Sequence, residues 1–494
     1  MFVLAASLAL AYGEKVHAEL TEEALRAAVG DQQVLPATAE QVDVLLARID
    51  AHGRGSPDLA AAWAARYPTP ADFDRWALKE LLCLNPDNDV YGFDRFDPET
   101  SQLALLSVSA RRPDDDYRNR DRLAHDAARK PRDGVPDDPI ILNMGKLGSL
   151  SSQAHAHYGL DQLEFSEDPE VLQTDPPRFA VAAGWPGGPI VTLAAEMTQA
   201  HLDLATLAAL DGATGLASAY AGQGFHYLED TGNPIHTVQV GLYDFFKDAF
   251  FQRLGISVGT GGGFFGELPS LASIGIGILT NHHTISEQLA EKKLLAGDAR
   301  LAGALTGDDA DFAATLPTSA AGDFAVTATR ALIHRGAPDG APMYASTRAI
   351  THKRYRKWGV SFDDKNDDPE AALRSGVSDA EMEAFWALQE TSFRRASTAI
   401  RRVWGLHQEA ITAALATPEA TDAARAEVLD RLVRRQLKAR ADAEERRAKY
   451  LATPPAEASA PAKQPGVLAA EVGGAAVLGF ALSRGIRRVV RRPA

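Results

Sequence analysis

Two short stretches of this chain carry side chains that can bind a metal ion. The first runs from His226 to His236 and reads His-Tyr-Leu-Glu-Asp-Thr-Gly-Asn-Pro-Ile-His; the second is His283-Thr-Ile-Ser-Glu287. On a helix, residues four apart share a face, so His226 and Asp230 can reach one cation and His283 and Glu287 another. Gly232 and Pro234 stop the first helix and turn His236 back toward the same region. Imidazole nitrogen with carboxylate oxygen is a donor set that suits zinc and needs no thiolate.

The elements that must position these groups read as helices. Hydrophobic residues make up 45% of 494, alanine-rich helical periodicity recurs, and strand-like alternation is scarce. Leu193, Met197, His201, Leu204 and Leu207 follow one helix face, with His201 read as a core histidine. Ala380 to Val403 continues the pattern, with Phe385, Leu388 and Phe393 as core residues. The ligands are scattered along the chain and must converge, which points to one large all-α domain over residues 12–416.

The spacing resembles the zinc-dependent phospholipase C and P1/S1 nuclease superfamily, whose signature is His-x3-Asp-x5-His followed by His-x3-Glu or His-x3-Asp. The family places its mature amino terminus on a metal, usually through a Trp, with a His a few residues later. Here Ala9-Leu10-Ala11 follows an apolar run as a cleavage signal, so residues 1–11 read as a signal segment. Cutting there exposes Tyr12, with His17 five residues on. A buried amino-terminal helix is the alternative reading of that segment. Arg112-Pro113-Asp114 resembles the family's Pro-Asp element, making Asp114 a ligand and the candidate general base, with Asp115 and Asp116 as neighbours. The remaining His is assigned to His157, with His125 second and His155 third.

The resemblance implies three zinc ions. One is held by Asp114, His157, His226 and Asp230, another by His236, His283 and Glu287. The third takes the Tyr12 amino group and carbonyl with His17, and Asp230 bridges. It also implies a phosphodiester hydrolase. A phospholipase C is favoured by Glu287 as the last ligand and by an insertion between His236 and His283 rich in Phe, including Phe245, Phe246, Phe250, Phe251, Phe264 and Phe265. Such an insertion can form a lid or a membrane-contacting surface, or a helical hairpin packed on the core. A single-strand nuclease and a non-catalytic envelope-anchored helical protein are the alternatives.

A formal net charge of −15 argues against a basic face that holds nucleic acid, so no stable nucleic-acid partner is expected, although local metal cations keep a nuclease open. The single cysteine, Cys83, reads as a small core residue and leaves the redox compartment unread. Residues 417–452 form a charged helix of mixed sign, read as solvated or partner-binding, and 453–466 a Pro/Ala linker. In 467–494 an apolar run interrupted by Glu471 precedes Arg484, Arg487, Arg488, Arg491 and Arg492. That pattern reads as a transmembrane or sorting tail, which keeps the catalytic domain outside the cytoplasm, or as a surface-lying amphipathic helix. Oligomeric state is not encoded in any of these features.

Overall fold

The computed structural model describes residues 14–76, 101–113, 194–237, 271–357, 360, 362–363 and 366–452. Tyr12, Asp114, His125, His155, His157, Cys83, the Phe-rich insertion and the tail beyond 452 lie outside these described residues. The described chain is helical, with two isolated bridges, Gln33 to Ser101 and Thr351 to Leu373, and no strand among the described residues.

The amino-terminal helices are α1 (Glu14–Val29), α2 (Ala39–Gly55), α3 (Ala60–Arg66), α4 (Pro70–Trp76) and α5 (Gln102–Ala110). The central pair is α6 (Ala194–Leu210) and α7 (Thr214–Gly232). After them come α8 (Leu271–Leu295), α9 (Ala299–Thr306), α10 (Ala310–Ala313), α11 (Phe324–Gly336) and α12 (Gly340–Ile350). Two long helices, α13 (Asp379–Ala414) and α14 (Pro418–Ala452), close the described chain. Local signals set several starts. Thr38 with Gln41 and Ser378 with Glu381 form reciprocal capping boxes, and the Asp298 side chain accepts from two backbone amides of α9.

The central pair is buried nearly all round: every residue of α6 except Glu196 and Ala209, and every residue of α7 except Thr214 and Ala217. The face through Met197, His201, Leu204 and Leu207 is buried as its spacing predicts, Leu193 lying outside the described residues, and the other sides of α6 are buried too because helices pack against all of them. The close approach of α7 to α5 depends on Gly222. A Cβ there would lie 2.8 Å from Ser109 Cβ and 3.1 Å from the Leu106 carbonyl carbon, with the Leu106 oxygen closer still.

Two hydrophobic clusters result. The larger joins α1, α2, α6, α7 and α13 through Leu20, Leu46, Leu204, Phe225, Leu228 and Phe393. The smaller gathers Ile235, Ile285, Leu289, Met343, Ile350 and Phe385 around α8, α12 and the start of α13. Leu388 only partly joins it. The chain passes from the first cluster to the second at the end of α7, where the candidate ligands lie.

The charged carboxyl-terminal helix differs from its sequence reading as a solvated element. Val428, Leu429, Leu432 and Val433 are buried against the core, and Gln436 Nε2 donates to the Tyr67 hydroxyl at 2.9 Å. Covering those four side chains is worth on the order of 6–12 kcal/mol gross. The basic residues beside them also turn inward. Arg431 and Arg435 pair with the buried Asp203 at 2.8 and 3.1 Å, and Arg435 also meets Asp323 at 2.7 Å. Glu427 pairs with Arg431 at 2.5 Å, one helical turn apart as the spacing predicts. Among the described residues, no helix is long and apolar enough to cross a membrane.

Candidate metal centre

Six of the nine sequence-derived ligands fall within the described residues, and all six are buried in two groups. His17, His226 and Asp230 form one; His236, His283 and Glu287 form the other. In each group the three donor atoms lie within 4.8 Å of one another. The structure thus provides two His/His/carboxylate triads that could hold a metal ion.

Local sequence explains how one helix serves both. His226 and Asp230 lie one turn apart near the end of α7, so both face inward at the same level. The helix then stops at Gly232. The Asn233 amide donates to the Asp230 carbonyl at 3.0 Å, while its side chain accepts from the Ile235 amide at 3.2 Å. Pro234 opens a 3-10 turn over Pro234–His236. That turn brings His236 against His283 of α8, with their Nε2 atoms 2.9 Å apart. Ser392 of α13 donates to the Gly232 carbonyl at 2.6 Å and holds the stop in place. On α8, Asn281 pins the segment after α12 by donating to the Tyr355 and Val360 carbonyls and accepting from the Phe362 amide.

The hydrogen bonds decide which imidazole nitrogens face inward. Nδ1 of His226 lies 2.7 Å from the Ala110 carbonyl oxygen, which can only accept, so Nδ1 carries a proton and the neutral ring presents its lone pair at Nε2. That lone pair faces Asp230 Oδ2 at 3.3 Å. His17 repeats the pattern: Nδ1 meets Glu229 Oε2 at 2.6 Å and Nε2 faces Asp230 Oδ1 at 3.5 Å. Each oxygen of Asp230 thus looks at a different histidine. Two lone pairs directed at each other need a proton or a cation between them.

The donor set fits zinc. Ligand atoms about 2.0–2.1 Å from a tetrahedral ion stand about 3.3–3.4 Å apart, close to both separations around Asp230. The second triad is tighter, with His283 Nε2 2.5 Å from Glu287 Oε1, so tetrahedral coordination would spread it by roughly 0.5–1 Å. Burial pushes the His283 imidazole well below its ordinary range, the facing His236 adds to that, and Asp230 opposes it. A neutral imidazole is the form that binds metal. The influence of Asp230 on His283 also ties the two triads together electrostatically.

His201 meets its sequence reading as a core residue. It is fully buried, its Nδ1 lies 2.9 Å from the Met197 carbonyl, and burial pushes it down to about 4. Two residues at the centre escape a spacing analysis. Glu229 and Thr21 are both wholly buried, and the Thr21 hydroxyl donates to Glu229 Oε1 at 2.5 Å. The only sequence signal was the adjacency of Glu229 to Asp230, which has no periodic meaning. Compared with known proteins, the chain matches no family model, no curated protein and no solved structure.

Proposed function

We propose that this chain is a zinc-dependent phosphodiester hydrolase of the phospholipase C kind, acting on phospholipid outside the cytoplasm. In this reading it is exported after cleavage before Tyr12 and held at the envelope by its carboxyl-terminal tail. One observation carries the proposal: two buried His/His/carboxylate triads meet at the end of α7, with the two oxygens of Asp230 directed at His226 and His17. The motif order along the chain, which resembles the zinc phospholipase C and P1/S1 nuclease superfamily, supports hydrolysis rather than metal storage. Glu287 and the Phe-rich insertion favour lipid over nucleic acid as substrate, and the net charge of −15 points the same way.

Zinc, when bound, polarises a phosphodiester and lowers the pKa of a coordinated water toward neutrality. The chain's own residues supply the rest. His226, Asp230 and His17 would hold one part of the ion cluster, His236, His283 and Glu287 another, with Tyr12 and His157 completing the set. Asp114 would take the proton from the attacking water. Cleavage between glycerol oxygen and phosphorus would release diacylglycerol and a phosphorylated headgroup.

The test uses protein that begins at Tyr12. Zinc content is measured by elemental analysis, and release of phosphocholine from phosphatidylcholine vesicles is compared with nucleotide release from denatured DNA. Bound zinc with phosphocholine release is the expected result. Zinc with nucleotide release alone would move the substrate to nucleic acid, and a correctly processed chain that binds no zinc would end the proposal.

A further inference from the structure

We infer that Glu229 is a positioning residue that locks the His17 ring with Nε2 directed at Asp230, so that α1 delivers a metal-ready imidazole to the centre. The inference rests on the metal-binding reading above and adds to it a residue that no spacing motif contains.

The geometry is a two-point clamp. His17 and Thr21 lie four residues apart on one face of α1 and both reach Glu229, Nδ1 at 2.6 Å and the hydroxyl at 2.5 Å. Glu229 precedes Asp230 on α7, and successive helical residues point about 100° apart. One carboxylate therefore faces α1 while its neighbour faces the ring of donors. His17, Thr21 and Glu229 are each wholly buried, which shields the hydrogen bonds from competing water. At 2.6 Å the contact to Glu229 is of full hydrogen-bond length while that to Asp230 is 3.5 Å, so a neutral His17 ring keeps its one proton on Nδ1 and turns the Nε2 lone pair toward Asp230. The close, tilted approach of the His17 and His226 rings, with centroids 4.0 Å apart, leaves little room for His17 to flip. A carboxylate behind a metal-binding imidazole also raises its basicity.

The experiment uses the full processed chain, its E229Q and T21V variants, and zinc itself as the probe. Zinc affinity is read by competition with a chromophoric chelator. The ring proton is located by long-range proton–nitrogen NMR on protein labelled at histidine, with His17 assigned through His17→Gln. In the metal-free parent, His17 should carry its proton on Nδ1. Glu229→Gln should scramble that assignment and weaken zinc binding at the affected site about 10- to 100-fold. Thr21→Val, which removes one hydrogen bond and keeps the side-chain shape, should weaken it about fivefold and decides the matter if the Gln variant does not fold. An unchanged His17 tautomer together with unchanged zinc affinity in a folded variant overturns the role of Glu229. If the parent binds no zinc, the metal reading fails instead, and the NMR readout still tests the clamp.

Discussion

Replacing Gly222 with Ala should damage the centre from a distance, and the structure sets the size of the effect. In an exposed helix interior this change is favourable by about 1 kcal/mol, because Gly is the poorer helix former. At Gly222 the added carbon would stand 2.8 Å from Ser109 Cβ and 3.1 Å from the Leu106 carbonyl carbon. Carbon contacts settle near 3.5–4.0 Å, so α5 and α7 must part by about 1 Å. Overpacking of that kind costs about 1–3 kcal/mol. The shift acts where it matters, since Ala110 closes α5 one turn after Leu106 and His226 lies one turn after Gly222. The His226 to Ala110 hydrogen bond, 2.7 Å in the parent, would stretch to about 3.5 Å or beyond, where such a bond is lost. With its ring no longer fixed, His226 should bind zinc about 10- to 100-fold more weakly. Urea unfolding of the metal-free protein reads the first effect and chelator competition the second. Gly405→Ala is the control, because Gly405 lies within α13 with nothing within 4 Å of its added carbon, and it should stabilise. If Gly222→Ala proves as stable as the control and binds zinc like the parent, the claim that this helix contact positions His226 is wrong.

Asp230→Asn should lower zinc content and phosphodiesterase activity together, because it removes the charge facing both His17 and His226; full retention of both would refute a bridging role. Stability of the metal-free protein should fall with acidity. Burial pushes both His201 and His407 down to about 4 from 6.5, so the fold keeps them neutral while the unfolded chain takes up protons below 6.5. The stabilisation is present above that pH and lost as pH falls toward 4, about 2 kcal/mol per histidine between pH 7 and 5. Chemical unfolding at those two pH values checks it, and a difference below about 1 kcal/mol in total would count against neutral burial. Asp203→Ala should cost about 1–2 kcal/mol by removing the buried carboxylate that Arg431 and Arg435 share, leaving Arg431 with Glu427 and Arg435 with Glu196 and Asp323, and should expose α14 to protease before the core; a variant whose α14 stays protected would show that the aliphatic contacts hold the helix without this shared ion pair.

How much of this was legible in the chain depends on the range over which each feature is decided. The pairing of His226 with Asp230 and of His283 with Glu287 follows from helix geometry alone, as does the return of His236 through Gly232 and Pro234. The helical class and the core places of Phe385, Phe393 and His201 follow from periodicity. His17 joining His226 and Asp230 is a matter of how α1 docks, so it reached the sequence reading only through a family resemblance. Glu229 was invisible because adjacent carboxylates on a helix look alike until it is known which neighbour each one faces. The docking of α14 was misread because its buried stripe holds only four apolar residues and Gln436, inside a run of charges. The partner of Arg431 and Arg435, Asp203, sits more than two hundred positions earlier.

The same distinction explains why the candidate centre lies where α7 ends. A continuing helix would carry His236 around its axis and away from Asp230, whereas a stop caps the last turn and frees the next residues to face a different helix. The stop must be firm, because the chain on its two sides is anchored in different hydrophobic clusters, Phe225 and Leu228 beside His226 in one and Ile235 beside His236 in the other. Asn233 and Ser392 supply that firmness with two hydrogen bonds, one to a backbone amide and one to a backbone carbonyl. Each cluster can then be packed by its own helices while the polar seam between them gathers imidazoles and acids. A seam of this kind is costly to bury unless its charges are answered from within. That cost is the physical reason to look for cations between α1, α7 and α8 before looking anywhere else in the molecule.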